Sequence, residues 1–167
     1  HLTMRTLIMT LFLIAQIAMN AQDSSGLIID GEISNEDGKR YKEKSIILVK
    51  KDTLATDTIR MNGGRFHLEL ALDSKYIIEF AGDNKYGKII SIDLNGIPEA
   101  NRGSAFVMEM DITFFSKPLV PNKALDEWHK ALAEKLFYSV VDDAIVRDIQ
   151  YSEERQRLRA QIVGTED

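Results

Sequence analysis

Between residues 27 and 115 the chain keeps returning to a two-residue rhythm, apolar then polar, broken at short intervals by turn residues. A helix brings side chains back to one face every 3.6 residues or so, whereas a strand alternates them between two faces. This rhythm therefore predicts strands with one buried side. Seven segments carry it: "LIIDGEIS" from Leu27, "SIILVK" from Ser45, "LATDTIRM" from Leu54, "RFHLELAL" from Arg65, "YIIEF" from Tyr76, "KIISIDL" from Lys88 and "AFVMEMDITFF" from Ala105. In the fourth, Phe66, Leu68, Leu70 and Leu72 share one face and His67, Glu69 and Ala71 the other. The inward sets predicted for the last three are Tyr76, Ile78 and Phe80; Ile90, Ile92 and Leu94; and Phe106, Met108, Met110, Ile112 and Phe114.

The joints between these segments are short and rich in turn formers, as in "NEDG", "NGG", "AGDN" and "LNGIP". No helical crossover is visible among them, which excludes a parallel α/β sheet and predicts a mainly β, seven-stranded antiparallel β-sandwich. "NGGRFHLEL" has the look of a phosphate loop, but no helix follows the glycines to hold an anion. Asn62 and Gly63 instead suit a type I′ hairpin turn, with Gly64 relaxing the entry into the next strand.

At "SKPLVPNK" the rhythm stops, because Pro118 and Pro121 remove backbone donors. Beyond it Leu125, Trp128, Leu132 and Leu136 recur at three- and four-residue steps, predicting an amphipathic helix. A second helix is predicted from Ile145, Ile149, Leu158 and Ile162 with the charged "SEERQRLR", and Ser152 suits its N-terminal end. Such a stripe belongs out of water. Either it folds back on the sandwich, or Leu125, Trp128, Leu132 and Leu136 form a partner-binding surface.

The N-terminus reads differently. "MRTLIMTLFLIAQIAMNAQ" joins a basic start at Arg5 to an apolar run from Leu7 to Met19 and small residues before a polar stretch, the pattern of a secretory signal peptide over 1–21 cut after Ala21. The run is short for a membrane span of about 20 residues, so no stable span is expected after cleavage. The domains are then the signal at 1–21, the sandwich at 22–117 and a helical C-terminal extension at 118–167. A formal net charge of -5 excludes a nucleic-acid role of the usual phosphate-binding kind. With no cysteine, disulfides, thiolate metal sites and a lipid-modified N-terminal cysteine are impossible.

The stretch "TDTIRMNGGRFHLELALDSKYIIEFAGDNKYGKIISIDLNGIPEANRGSAFVMEMDITFF" resembles the carboxypeptidase regulatory-like domains, relatives of the transthyretin-like sandwiches, and among them the short exported cell-envelope proteins of Bacteroidota. The likeness is carried by the Thr-rich strand leading to Gly64 and Phe66, by "YIIEF" with its Gly-containing loop and "KIISIDL", and by the closing "IPEANRGSAFVMEMDITFF". It covers about Leu27 to Phe115 and departs at "AGDNKYGK", where related sequences tend to carry a Pro-Gly-Tyr loop. The resemblance implies a non-catalytic domain, with no catalytic residues to carry over.

The residues themselves agree. His67 alternates outward beside Glu69, and His129 sits near Asp126 with no second histidine at metal spacing, so each reads as a surface side chain. "DLNGIPE" lacks the glycine and acid positions of an EF-hand, so Asp93 and Asn95 read as strand end and turn. Asp142 and Asp143 are adjacent and point about 100° apart on a helix, which is no acid/base pair. No serine lies in a nucleophile-elbow setting. No enzyme activity, cofactor or metal is expected. The expected role is a protein-binding or structural component of the envelope, in the periplasm or at the outer membrane, with an envelope protein as partner; the alternative is a glycan- or peptide-binding accessory domain, for which Tyr41, Tyr86 and Phe115 are the aromatic candidates.

Overall fold

The computed structural model describes residues 26–52, 55–103 and 105–163. The run read as a signal, 1–21, lies outside the described residues. All seven alternating segments are strands: β1 (Gly26–Asn35), β2 (Lys44–Lys51), β3 (Ala55–Asn62), β4 (Arg65–Ala71), β5 (Lys75–Gly82), β7 (Lys88–Asp93) and β8 (Phe106–Ser116). Three further strands are present among the described residues, the two-residue β6 (Lys85–Tyr86), β9 (Glu134–Ser139) and β10 (Ala144–Arg147). The helices are α1 (Lys123–Lys130) and α2 (Ile149–Val163).

The protein is mainly β, with two sheets. Four strands run in the order β4-β1-β8-β6 and six in the order β10-β9-β7-β5-β2-β3. Their apolar faces meet in one core. Leu27, Ile29, Phe66, Leu68, Ile112 and Phe114 come from the first sheet, and Ile47, Tyr76, Ile78, Phe80, Ile90 and Ile92 from the second. Phe66 meets Phe80 at 5.1 Å between ring centroids, and Tyr41 packs edge-on to Phe114 at 5.0 Å. Each such side chain contributes roughly 1.5–3 kcal/mol on burial, so the alternation read from the sequence is also where most of the stability lies. In β4 the burial alternates residue by residue, with Phe66, Leu68 and Leu70 inside and Arg65, His67, Glu69 and Ala71 exposed.

Pairing corrects three expectations. The sheets are mixed rather than wholly antiparallel, because β1 runs parallel to β8 and β7 parallel to β9. Parallel neighbours need a long connection to bring the chain back in the same direction, and the stretch through β8 and α1 supplies one between β7 and β9.

The second correction concerns the glycine pair. β3 pairs with β2 in the six-stranded sheet and β4 with β1 in the four-stranded one, so Gly63–Gly64 is a corner between sheets and not a hairpin. A type I′ turn needs positive φ at both central residues; Gly63 has φ 120° but Asn62 does not take the left-handed conformation. Gly64 is buried where a Cβ would lie 2.4 Å from the Ile33 carbonyl oxygen and 2.9 Å from that of Tyr41. Its own carbonyl accepts from the Ile33 amide at 2.6 Å. The missing side chain is what lets the corner close on β1.

The third correction is at the C-terminal side. The helix predicted through Leu136 ends at Lys130, and Leu136 lies in β9 with only 5% of its surface exposed, inside the core beside Tyr138. Ile145, assigned from sequence to the second helix, belongs to β10 and packs against the same core opposite Tyr138. β7 would otherwise end the sheet with unpaired amides and carbonyls, and β9 covers that edge. Glu134 ties the addition down, receiving both Lys88 of β7 and Arg147 of β10. Asp142 and Asp143 sit in the β9–β10 turn, where Ser139 donates to Asp142 at 2.6 Å and Tyr138 to Asp143 at 2.6 Å.

Candidate functional site

The site grows from the tip of the β5–β7 hairpin. Lys85 and Tyr86 leave the second sheet to pair with Ser116 and Phe115 of β8 in the first. Gly87 then returns the chain so tightly that a Cβ there would lie 1.7 Å from the Phe80 carbonyl oxygen. Tyr86 is thereby buried at the seam between the sheets, 6% exposed, with its face toward α1.

Helix α1 starts at an Asn122 cap, whose side-chain oxygen accepts from the Leu125 amide at 2.9 Å, and carries Asp126 in its first turn, the favourable end of the helix dipole for a carboxylate. The Tyr86 hydroxyl donates to Asp126, and burial, followed by that carboxylate, raises the phenol to about 12. One turn on, His129 stacks flat on Tyr86, with centroids 4.0 Å apart and planes 4° from parallel. Trp128 stands edge-on to the imidazole at 4.6 Å. Burial, then the neighbouring Arg159 and Arg155, lower His129 to about 4, so the ring is neutral near pH 7. The helix-surface histidine expected from the sequence is a half-buried plate of an aromatic stack.

Helix α2 is polar nearly all round, and it docks through a stripe the apolar pattern does not mark. Tyr151, Arg155 and Arg159 recur every four residues and so share a face. The Tyr151 hydroxyl donates to the Leu132 carbonyl at 2.7 Å, and Lys135 lies 4.1 Å over the Tyr151 ring. Arg155 lies 4.6 Å over the Trp128 ring and donates to the Trp128 carbonyl, while the indole Nε1 donates back to the Arg155 carbonyl at 3.2 Å. Arg159 lies 5.1 Å over Phe115. Asp148 caps the helix by accepting from the Tyr151 amide at 2.9 Å, a role the sequence reading gave to the Ser152 region.

The four residues proposed from sequence as a partner surface thus separate. Leu125 and Trp128 are half-buried on α1, Leu132 is half-buried in the connection to β9, and Leu136 is in the core. Trp128 faces α2.

Between the β5–β7 hairpin and α1 a cleft of about 540 Å³ remains open, in the range of small-ligand and peptide sites. Lys85, Lys88, Lys117 and Lys130 line it together with Tyr86 and His129. Lys88 is paired with Glu134 and Lys130 with Glu127, whereas Lys85 donates to the Ser116 hydroxyl at 3.0 Å and Lys117 lies 5.8 Å over the Tyr86 ring. Pro118 and Pro121 form part of the lining, and between them Leu119 is fully exposed and Val120 is 78% exposed. Linear spacing gives no hint of this cleft, because its lysines come from β6, β7, the segment after β8 and the end of α1, which only the fold brings together.

The first sheet's outer face carries the other histidine. Register sets His67, Asp30 and Glu109 in one row and Arg65, Glu32 and Asp111 in the next. His67 bridges Asp30 at 2.7 Å and Glu69 at 3.1 Å, and these two hydrogen bonds raise its pKa. It is solvated, as its alternation predicts. The loop reading of Asp93 and Asn95 also holds, with Asp93 accepting from the Asn95 amide at 3.1 Å. Of the aromatic candidates for a glycan platform, Tyr41 and Tyr86 are buried and Phe115 is half-covered under Arg159, so no row of free rings forms from them.

Among the described residues no group of three or more His, Asp and Glu side chains is placed to hold a metal ion, and no helix is long and apolar enough to cross a membrane. The chain matches no protein-family model, no curated protein and no solved structure.

Proposed function

We propose that the chain is an exported, non-catalytic module of the carboxypeptidase regulatory-like, transthyretin-like sandwich kind, acting as a protein-binding or structural component of a bacterial cell envelope. Two sheets around one core support the sandwich part of this reading. The residues behind the family resemblance, "YIIEF", "KIISIDL" and the long β8, all lie in those sheets. Export is read from the basic and apolar segment at 4–21.

The observation that carries the binding role is the pair Leu119 and Val120. Two exposed aliphatic side chains sit between two prolines that line a cleft, a small apolar surface placed where a partner in the cleft would cover it. The prolines restrict the backbone before any partner arrives, which lowers the ordering cost of binding. The burial of Tyr41 and Tyr86 argues against a glycan platform, while the cleft favours the peptide half of the alternative reading.

The test is affinity capture from envelope extracts with the protein and with a Leu119→Glu/Val120→Glu variant. Both positions are outside the core, so the variant keeps its thermal midpoint. The reading expects a discrete protein retained by the parent and lost from the variant; equal retention by both would refute the role given to this pair.

A further inference from the structure

We propose that the cleft between the β5–β7 hairpin and α1 is the docking groove for an acidic peptide segment of the partner, with carboxylates reaching Lys85 and Lys117 and an aliphatic side chain seated on Leu119 and Val120. This rests on the protein-binding reading above and names the chemistry of its ligand.

Charge carries the argument first. The chain as a whole is acidic, at -5, yet four lysines converge on one cleft against two lining carboxylates, Glu79 and Asp126. Asp126 accepts a hydrogen bond from the neutral Tyr86 hydroxyl. Lys88 and Lys130 have Glu134 and Glu127 as partners. Among the described residues Lys85 and Lys117 have no carboxylate partner; their contacts are a hydroxyl and a ring face. The register that sets Lys85 opposite Ser116 brings Lys117, the next residue, to the same end of the cleft. Both line the cleft with ammonium groups that no carboxylate of the described residues pairs, so a negatively charged ligand group can take them as partners.

Shape decides what kind of anion. A polyanion surface such as a lipid bilayer or a nucleic acid is met by broad arrays of Lys and Arg, whereas here the basic groups are few, sit within a cleft of about 540 Å³ and border a proline-fixed aliphatic pair. An extended peptide offers both features at once, carboxylates on one side and an aliphatic group on the other, at the spacing of alternating side chains. The neutral His129 lines the groove without asking for a counter-charge.

The experiment is fluorescence anisotropy with a labelled peptide of alternating Glu and Leu, its counterpart of alternating Lys and Leu, and the full chain in three forms: parent, Lys85→Glu/Lys117→Glu and Leu119→Ser/Val120→Ser. Thermal midpoints of all three establish that they are folded. The proposal expects the Glu peptide to bind the parent and to lose affinity about tenfold or more in the charge-reversed form. It also expects a several-fold loss between about 50 and about 300 mM salt and no binding of the Lys peptide. Equal affinity of the Glu peptide for parent and charge-reversed forms, or no binding to the parent, overturns it. Displacement by free succinate at the peptide's own concentration overturns the peptide assignment in favour of a small diacid. Should envelope capture depend on Leu119 and Val120 while the Glu peptide fails to bind, the protein-binding reading survives and the acidic-ligand inference does not.

Discussion

Replacing Trp128 with alanine asks whether the C-terminal helix is held by the cation–aromatic clamp. α2 spans fifteen residues, and a helix of that length is marginal in water by itself, so its order depends on docking. Truncating a fully buried Trp costs about 3–5 kcal/mol. Trp128 is half-buried, which scales that to about 2 kcal/mol, and the lost Nε1 bond to Arg155 adds about 1 kcal/mol. At tenfold per 1.4 kcal/mol, α2 amides should exchange roughly 30- to 150-fold faster in Trp128→Ala. Amides of β1, β5 and β7 should keep their protection, because Trp128 is not part of the core they close. Native-state hydrogen exchange read by mass spectrometry separates the two sets. Unchanged protection over 149–163, or an equal loss throughout the sheets, would show that the clamp does not hold the helix.

Leu136→Ala should behave as a core truncation, costing about 2–5 kcal/mol in a cooperative urea transition, where a residue on a docked helix would leave the sheets' midpoint in place. Gly64→Ala should cost about 1–3 kcal/mol, measured the same way, because the Ile33 and Tyr41 carbonyls must move to admit a Cβ. Acid should weaken the fold through His129. Its folded pKa of about 4 lies below the ordinary 6.5, so the unfolded chain binds more protons between those values, and stability present above the upper one is lost as pH falls toward the lower. His67 has the opposite sign, its raised pKa giving stability present below the ordinary value and lost as pH rises through the folded one. Imidazole NMR titrations should show His129 uncharged well below pH 6.5 and His67 charged above it; His129 titrating at an ordinary value would contradict the stacked, neutral ring.

What was legible in the sequence, and what was not, follows from the range of each interaction. Phe66, Leu68 and Leu70 declare their face because alternation is local, and all seven segments fold as read. Pairing is not local. Asn62 and Gly63 signal a hairpin, yet the partners of β3 and β4 lie in different sheets, and only the approach of Ile33 and Tyr41 to Gly64 decides it. Leu132 and Leu136 fit a helical step, but Leu136 and Tyr138 equally fit a strand, and the open edge of β7 settles the choice. Tyr151, Arg155 and Arg159 were missed because a helix that docks through guanidinium groups on rings shows no apolar stripe. The paired histidine and tyrosine rings, 43 positions apart, were out of reach of any local pattern.

The most direct test of the account is site-specific photo-crosslinking in envelope extracts from a benzophenone side chain placed at position 119, with the same group at position 107 on the exposed face of β8 as control. A binding module that presents Leu119 and Val120 at a basic cleft should give one discrete protein adduct from position 119, diminished by Lys85→Glu/Lys117→Glu and absent from position 107. Adducts of equal yield from both positions, or none from 119, would contradict it.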